Sequence, residues 1–136
     1  MAETLKLEIV TPGAVVYSED VELATLPAVG GQIGIYPRHV PLLTRIVPGE
    51  IIVVKSGQQE LLAVGEGLVE VTADRVAIVT DMAVAAKAID EAKVEEARER
   101  AAARLREKIS DEEIASVNAS LARSLAQLRV KRRNRR

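Results

Sequence analysis

The sequence predicts an antiparallel β-sandwich or barrel over residues 1–88, followed by an antiparallel helical hairpin with a basic tail over residues 89–136: two small domains in one chain. Three observations predict this. Short apolar runs recur at regular spacing in the first part, each closed by Gly or Pro. Residues 89–136 contain neither Gly nor Pro. In that second part Ala, Glu, Arg and Leu take over, with apolar residues at helical spacing.

Taken in order, Leu5, Leu7 and Ile9 alternate and Thr11-Pro12-Gly13 turns the chain. Val21, Leu23 and Thr25 alternate ahead of Pro27. Gly31 to Pro41 is dense in Gly and Pro and reads as an ordered loop with special backbone angles. Leu42 to Val47 ends at Pro48-Gly49, Ile51 to Val54 at Ser56-Gly57, and Leu61 to Val64 at Gly65-Glu66-Gly67. Leu68, Val69 and Val71 precede Ala73-Asp74, and Val76 to Val79 follow.

Two helices come next. The first carries Ile89, Val94, Ala97, Ala101 and Leu105, with Asp90 as its N-cap and Ile89 and Val94 as a hydrophobic staple. Acids crowd its start and Arg104, Arg106 and Lys108 its end, as the helix dipole favours. Ser110-Asp111-Glu112-Glu113 is a capping box that opens the second helix, with Ile109 and Ile114 as staple. The second apolar set, Ile114, Val117, Leu121, Leu125 and Leu128, is a narrow coiled-coil-like seam. Because the first helix offers Ala97 and Ala101 rather than Leu, the hairpin is expected to be thinly packed and to need the sandwich or a partner. Opened out, it would reach roughly 70 Å at about 1.5 Å per residue, which suits a switch.

Composition excludes several function classes. There is no cysteine, so no disulfide, thiolate nucleophile or Cys-ligated metal. His39 is the only histidine, which excludes a multi-histidine metal site. Tyr17 and Tyr36 are the only aromatics, too few for a base-stacking platform. No phosphate-cradling glycine loop or nucleophile elbow is present, so nothing points to an enzyme. No apolar run approaches a bilayer span, and the N-terminus reads neither as a secretory signal nor as a transit peptide.

Charge is segregated. Residues 1–88 hold six Lys/Arg against eleven Asp/Glu, and residues 89–136 hold thirteen against nine. Beyond Glu113 there is no acid; Arg123, Arg129, Lys131, Arg132, Arg133, Arg135 and Arg136 stand alone there. Such an end is a solvated tail, an arm for an acidic protein surface, or a grip on nucleic acid.

The segment Gly31-Gln32-Ile33-Gly34-Ile35-Tyr36-Pro37-Arg38-His39-Val40-Pro41-Leu42-Leu43-Thr44 closely resembles the signature of the ε subunits of F-type ATP synthases. Further blocks follow in family order: Ile46-Val47-Pro48-Gly49, Gly65-Glu66-Gly67-Leu68-Val69-Glu70-Val71, Val76-Ala77-Ile78-Val79-Thr80-Asp81, Ile89-Asp90 and Ala126-Gln127-Leu128-Arg129-Val130. The resemblance implies a ten-stranded sandwich and a two-helix domain. It implies a non-catalytic rotor part of the central stalk, with the γ subunit, the c-ring and the α/β hexamer as partners and no nucleic acid. It implies a peripheral position at the cytoplasmic face of a bacterial inner membrane, and an arm that rises to block ATP hydrolysis.

Residue by residue, the resemblance makes Gln32 and His39 the c-ring contacts, although many relatives carry an acid where Gln32 stands. For His39 the alternative is a loop imidazole bonded to backbone. Where some members bind ATP through Ile/Leu-Asp-x-x-Arg-Ala, this chain reads Ile89-Asp90-Glu91-Ala92-Lys93-Val94. Lys93 keeps the charge but not the planar fork of Arg, so Ile89, Asp90 and Lys93 imply at most weak regulatory ATP binding and no other cofactor. Arg123, Arg129, Lys131, Arg132 and Arg133 are the candidates to meet the acidic helix-turn-helix region of the β subunit.

Overall fold

The computed structural model describes residues 3–107 and 109–134. Lys108 of the first helix end and Arg135 and Arg136 of the tail lie outside the described residues. Ten strands are followed by two helices: β1 Leu5–Thr11, β2 Ala14–Val21, β3 Leu23–Ala28, β4 Gly31–Ile35, β5 Leu42–Ile46, β6 Gly49–Lys55, β7 Gln58–Val64, β8 Gly67–Val71, β9 Arg75–Thr80, β10 Ala83–Ala85, α1 Glu91–Leu105 and α2 Asp111–Asn134.

The turns behave as their residues dictate. Pro12-Gly13 closes the β1–β2 hairpin, with Thr11 opposite Ala14. Ser56-Gly57 closes β6–β7 with φ of 52° and 76°, the double left-handed turn that matches strand twist. The sheet runs β10-β7-β6-β3-β5-β8-β9-β1-β2, with β4 on the other edge of β3. β3 pairs with β6 through Leu23–Thr25 and with β5 only at Ala28, so the sheet divides there into two layers. One layer is β10-β7-β6-β3-β4 and the other β5-β8-β9-β1-β2. The core between them joins Leu7, Ile9, Val69 and Ile78 of the second layer to Leu26, Ile51, Val53 and Leu62 of the first.

The structure revises several expectations, and the sandwich is not wholly antiparallel, because β1 pairs with β9 in parallel. Val21, Leu23 and Thr25 do not form one alternating strand: Val21 ends β2, and the buried residues of β3 are Ala24, Leu26, Pro27 and Ala28. The inward phase shifts at the Glu22 break, where the chain passes from β2, paired with β1, to β3, paired with β4, β5 and β6. The first five residues of the Gly31–Pro41 segment pair as β4 instead of forming loop, while Gly31 (φ 137°) and Arg38 (φ 67°) keep the unusual backbone angles. The apolar seam of α2 is only in part its buried face: Leu128 is buried and Val117 and Leu121 are half-buried. Ile114 and Leu125 remain 37% and 38% exposed, while Ser124, Ala126, Leu128 and Val130 are buried. The reason is that α2 packs on two neighbours at once, α1 on one side and β6–β7 on the other, so no single stripe describes it.

The helix ends form largely as their residues require. Asp90 accepts from the Lys93 amide at 3.3 Å, and Ser110 Oγ accepts from the Glu113 amide at 3.2 Å. The Glu113 carboxylate, expected to reach back, instead accepts from Arg104 of α1 at 2.6 Å. It thereby ties the two helices beside their connection.

Candidate functional site

The run Leu61-Leu62-Ala63-Val64 is buried at every position, the pattern of a strand covered on both faces. Leu62 and Val64 enter the core. Leu61 and Ala63 face outward and join Ala86, Ile89 and Val130 in a second apolar cluster, with Ile52, Met82, Val84 and Val94 packed beside it. The hairpin is therefore docked on the outer face of the β6–β7–β10 layer, with Val130 fully buried as its central contact.

Charges frame this contact. Arg123 of α2 donates to Asp81 Oδ2 at 3.0 Å. Arg133 pairs with Glu50. Arg132 reaches back to α1, to Glu91 at 3.3 Å and Glu95 at 3.4 Å. Lys131 Nζ lies 3.4 Å from the Ala86 carbonyl oxygen. Of the five basic candidates on α2, only Arg129 has no hydrogen bond or ion pair among the described residues, and it lines a cleft of about 400 Å³ with Pro27, Gln32, Pro48, Gly49 and Arg133. Three of the five cations, Arg123, Lys131 and Arg133, are thus turned onto residues 1–88, and Arg132 onto α1. Of their acidic partners, Glu91 and Glu95 were expected only as acids at the start of the first helix, and Asp81 and Glu50 drew no role from sequence reasoning. The only signal was the acidic excess of the first part set against the basic end.

The remaining candidates are dispersed. Gln32 is exposed on β4 opposite Pro27. His39 lies beyond the far end of that strand, next to Arg38, whose amide donates to the Ala73 carbonyl at 2.7 Å. His39 Nδ1 lies 2.7 Å from the Val40 carbonyl oxygen. Strand register sets the two apart, Gln32 at the Gly49 end of the sandwich and His39 at the Val71 end. Ile89 is buried under α2, the Asp90 carboxylate is engaged as a cap, and Lys93 is exposed.

A second surface emerges on the opposite layer. Cross-strand register places Leu68 against Val79, Val79 against Val10, and Val10 against Val15. Their chain neighbours Val69, Ile78 and Ile9 point into the core, so this row of four points outward. Leu68, Val79 and Val15 are 52%, 60% and 60% exposed. A contiguous apolar row of this kind on a sheet face marks a surface meant for a partner.

Comparison with known proteins agrees with this architecture. The family model "ATP synthase, Delta/Epsilon chain, beta-sandwich domain" matches residues 4–86, and "ATP synthase, Delta/Epsilon chain, long alpha-helix domain" matches residues 87–132. The chain is 43% identical to the ATP synthase epsilon chain of Herpetosiphon aurantiacus, over 96% of this chain and 98% of that one. It is 40% identical to the ATP synthase epsilon chain of Laribacter hongkongensis, over 93% and 92%. Among solved structures, a chain of the Euglena gracilis mitochondrial ATP synthase (OSCP/F1/c-ring) superposes with a TM-score of 0.71 at 21% identity, covering 88% of this chain and 76% of that one. A chain of the Tetrahymena thermophila mitochondrial ATP synthase (central stalk/c-ring) gives 0.64 at 12% identity, covering 96% and 98%. These two share the fold. With family models matching both parts and relatives at about 40% identity along nearly its whole length, the chain belongs to the epsilon chains of ATP synthase.

Proposed function

We propose that the chain is a non-catalytic rotor part of the ATP synthase, in which residues 1–88 act as the fixed body and residues 89–136 as a moving arm. The body is clamped to the γ subunit and rests on the c-ring. The arm, when raised, reaches the α/β hexamer and blocks ATP hydrolysis. The whole sits at the cytoplasmic face of a bacterial inner membrane, held there only through the complex.

One observation carries the arm: Arg123 is held to the sandwich by the half-exposed carboxylate of Asp81, and Arg132 pairs with Glu91 and Glu95 of α1, inside the arm itself. An exposed pair is worth about 0.2–1 kcal/mol, so Arg123 can exchange from Asp81 onto an acidic partner at little net cost. The apolar row through Leu68, Val79, Val10 and Val15 supports a seat for γ. Gln32 and His39 remain the c-ring candidates of this reading, as alternatives, because they lie at opposite ends of the sandwich and one end rests on the ring. The conclusive experiment is deletion of residues 114–136. It is expected to raise ATP hydrolysis by the assembled complex and leave assembly intact; unchanged hydrolysis counts against an inhibitory arm.

ATP is at most a weak ligand at the start of α1. Ile89 is committed to the docking contact, Asp90 to its cap, and Lys93 offers a point charge in place of a fork. Isothermal titration should return no submicromolar affinity.

A further inference from the structure

Two glycines of the Gly65-Glu66-Gly67 block have different neighbours. The connection after β7 and the connection after β9 lie against each other as a corner. The Gly65 amide donates to the Met82 carbonyl at 2.9 Å, the Asp81 amide to the Glu66 carbonyl at 3.2 Å, and the buried Thr80 hydroxyl to the Glu66 carbonyl at 2.8 Å. At Gly67 an added methyl would overlap the Val79 carbonyl oxygen and stand 2.9 Å from Thr80 Cα, so that glycine is needed for backbone to approach backbone. At Gly65 the methyl would meet side chain instead. It would overlap Asp81 Oδ1, stand 3.0 Å from Asp81 Cγ, and stand 3.4 Å from Arg123 Cγ. Gly65 does not have a left-handed φ, so nothing about its backbone calls for glycine.

We propose that Gly65 is a positioning residue for a latch: its missing side chain is the seat in which the Asp81 carboxylate lies to hold Arg123, and so to hold α2 down. The proposal rests on the reading of α2 as an arm that leaves the sandwich. Asp81 lies on the body and Arg123 on the arm, so their pair exists only while the arm is docked. A group that stabilises one of two states biases the equilibrium by that differential alone. A methyl at position 65 pushes the carboxylate out of its seat without changing any charge or any residue of the arm. The carboxylate can rotate away, so the body keeps its fold.

The test is amide hydrogen exchange of the full chain, comparing α2 with β1, in Gly65→Ala, Asp81→Asn and the double variant. Gly65→Ala is expected to speed exchange in α2 about two- to five-fold, the value of one half-exposed ion pair, with β1 unchanged. In the Asp81→Asn background it should add nothing. Unchanged α2 exchange overturns the latch, and so does equal acceleration of β1, which would mean that the fold itself had loosened. ATP hydrolysis by the assembled complex provides the separating measurement. If α2 exchange rises and hydrolysis falls, both the latch and the inhibitory arm stand. If exchange rises and hydrolysis does not move, the latch stands and the inhibitory reading fails.

Discussion

The sandwich has two outer faces, and both are apolar where a monomer would be polar. On the β6–β7–β10 face, Leu61, Ala63 and Ile52 are covered by α2. On the β8–β9–β1–β2 face, Leu68, Val79, Val10 and Val15 form an equally continuous row that nothing among the described residues covers. The difference teaches what each face is for. A face that supplies its own cover can be opened and closed by the same molecule. A face left bare needs a second polypeptide, held for as long as the assembly lasts.

The contrast can be broken most forcefully at Val130, the fully buried centre of the covered face. Val130→Asp would put an unpaired carboxylate between helix and sheet, a loss of several kcal/mol that the chain avoids by lifting α2. Limited proteolysis should then cut within α2 while the sandwich survives intact; equal loss of both would show that the helix is not a separable cover. Val79→Lys probes the bare face. The urea midpoint of the isolated chain should change by no more than about 0.5 kcal/mol equivalent, while recovery of the chain with γ in the assembled complex drops; normal recovery would remove this face as the seat. The smallest effect concerns the pair that ties β2 to β6. The hydrogen bond from Lys55, at 2.5 Å, holds the Glu19 carboxyl below its usual 4.5. A carboxyl depressed in the folded state contributes stability above its unfolded value and loses it as pH falls through the lower folded one. The gap in urea midpoint between the native chain and Glu19→Gln should therefore be largest near neutrality and close on acidification below about 4.5.

Much of this was legible in residue order. Period-two runs closed by Pro12-Gly13, Ser56-Gly57 and Gly65-Glu66-Gly67 marked the strands, and Asp90 and Ser110 marked both helix starts. β4 was not legible, because Gly31 and Gly34 dilute its pattern and it pairs with β3 alone. β10 is three residues long and has no period to read. The latch acids were invisible for a different reason. Asp81 and Arg123 are 42 residues apart, and no local rule pairs two charges at that distance; only the tertiary docking of α2 does. The seam of α2 misled because Ile114 and Leu125 share a stripe on a helical wheel, while burial is set by two neighbours.

The doubly buried β7 has one more consequence. Raising the lever strips Leu61 and Ala63 of their shelter and leaves a greasy strip facing water. A free copy, waiting to be incorporated, is thus biased to stay shut, because an open one would clump with its fellows. If the proposed raised state forms, it is favoured only where a larger assembly already shields the strip or grips the lever.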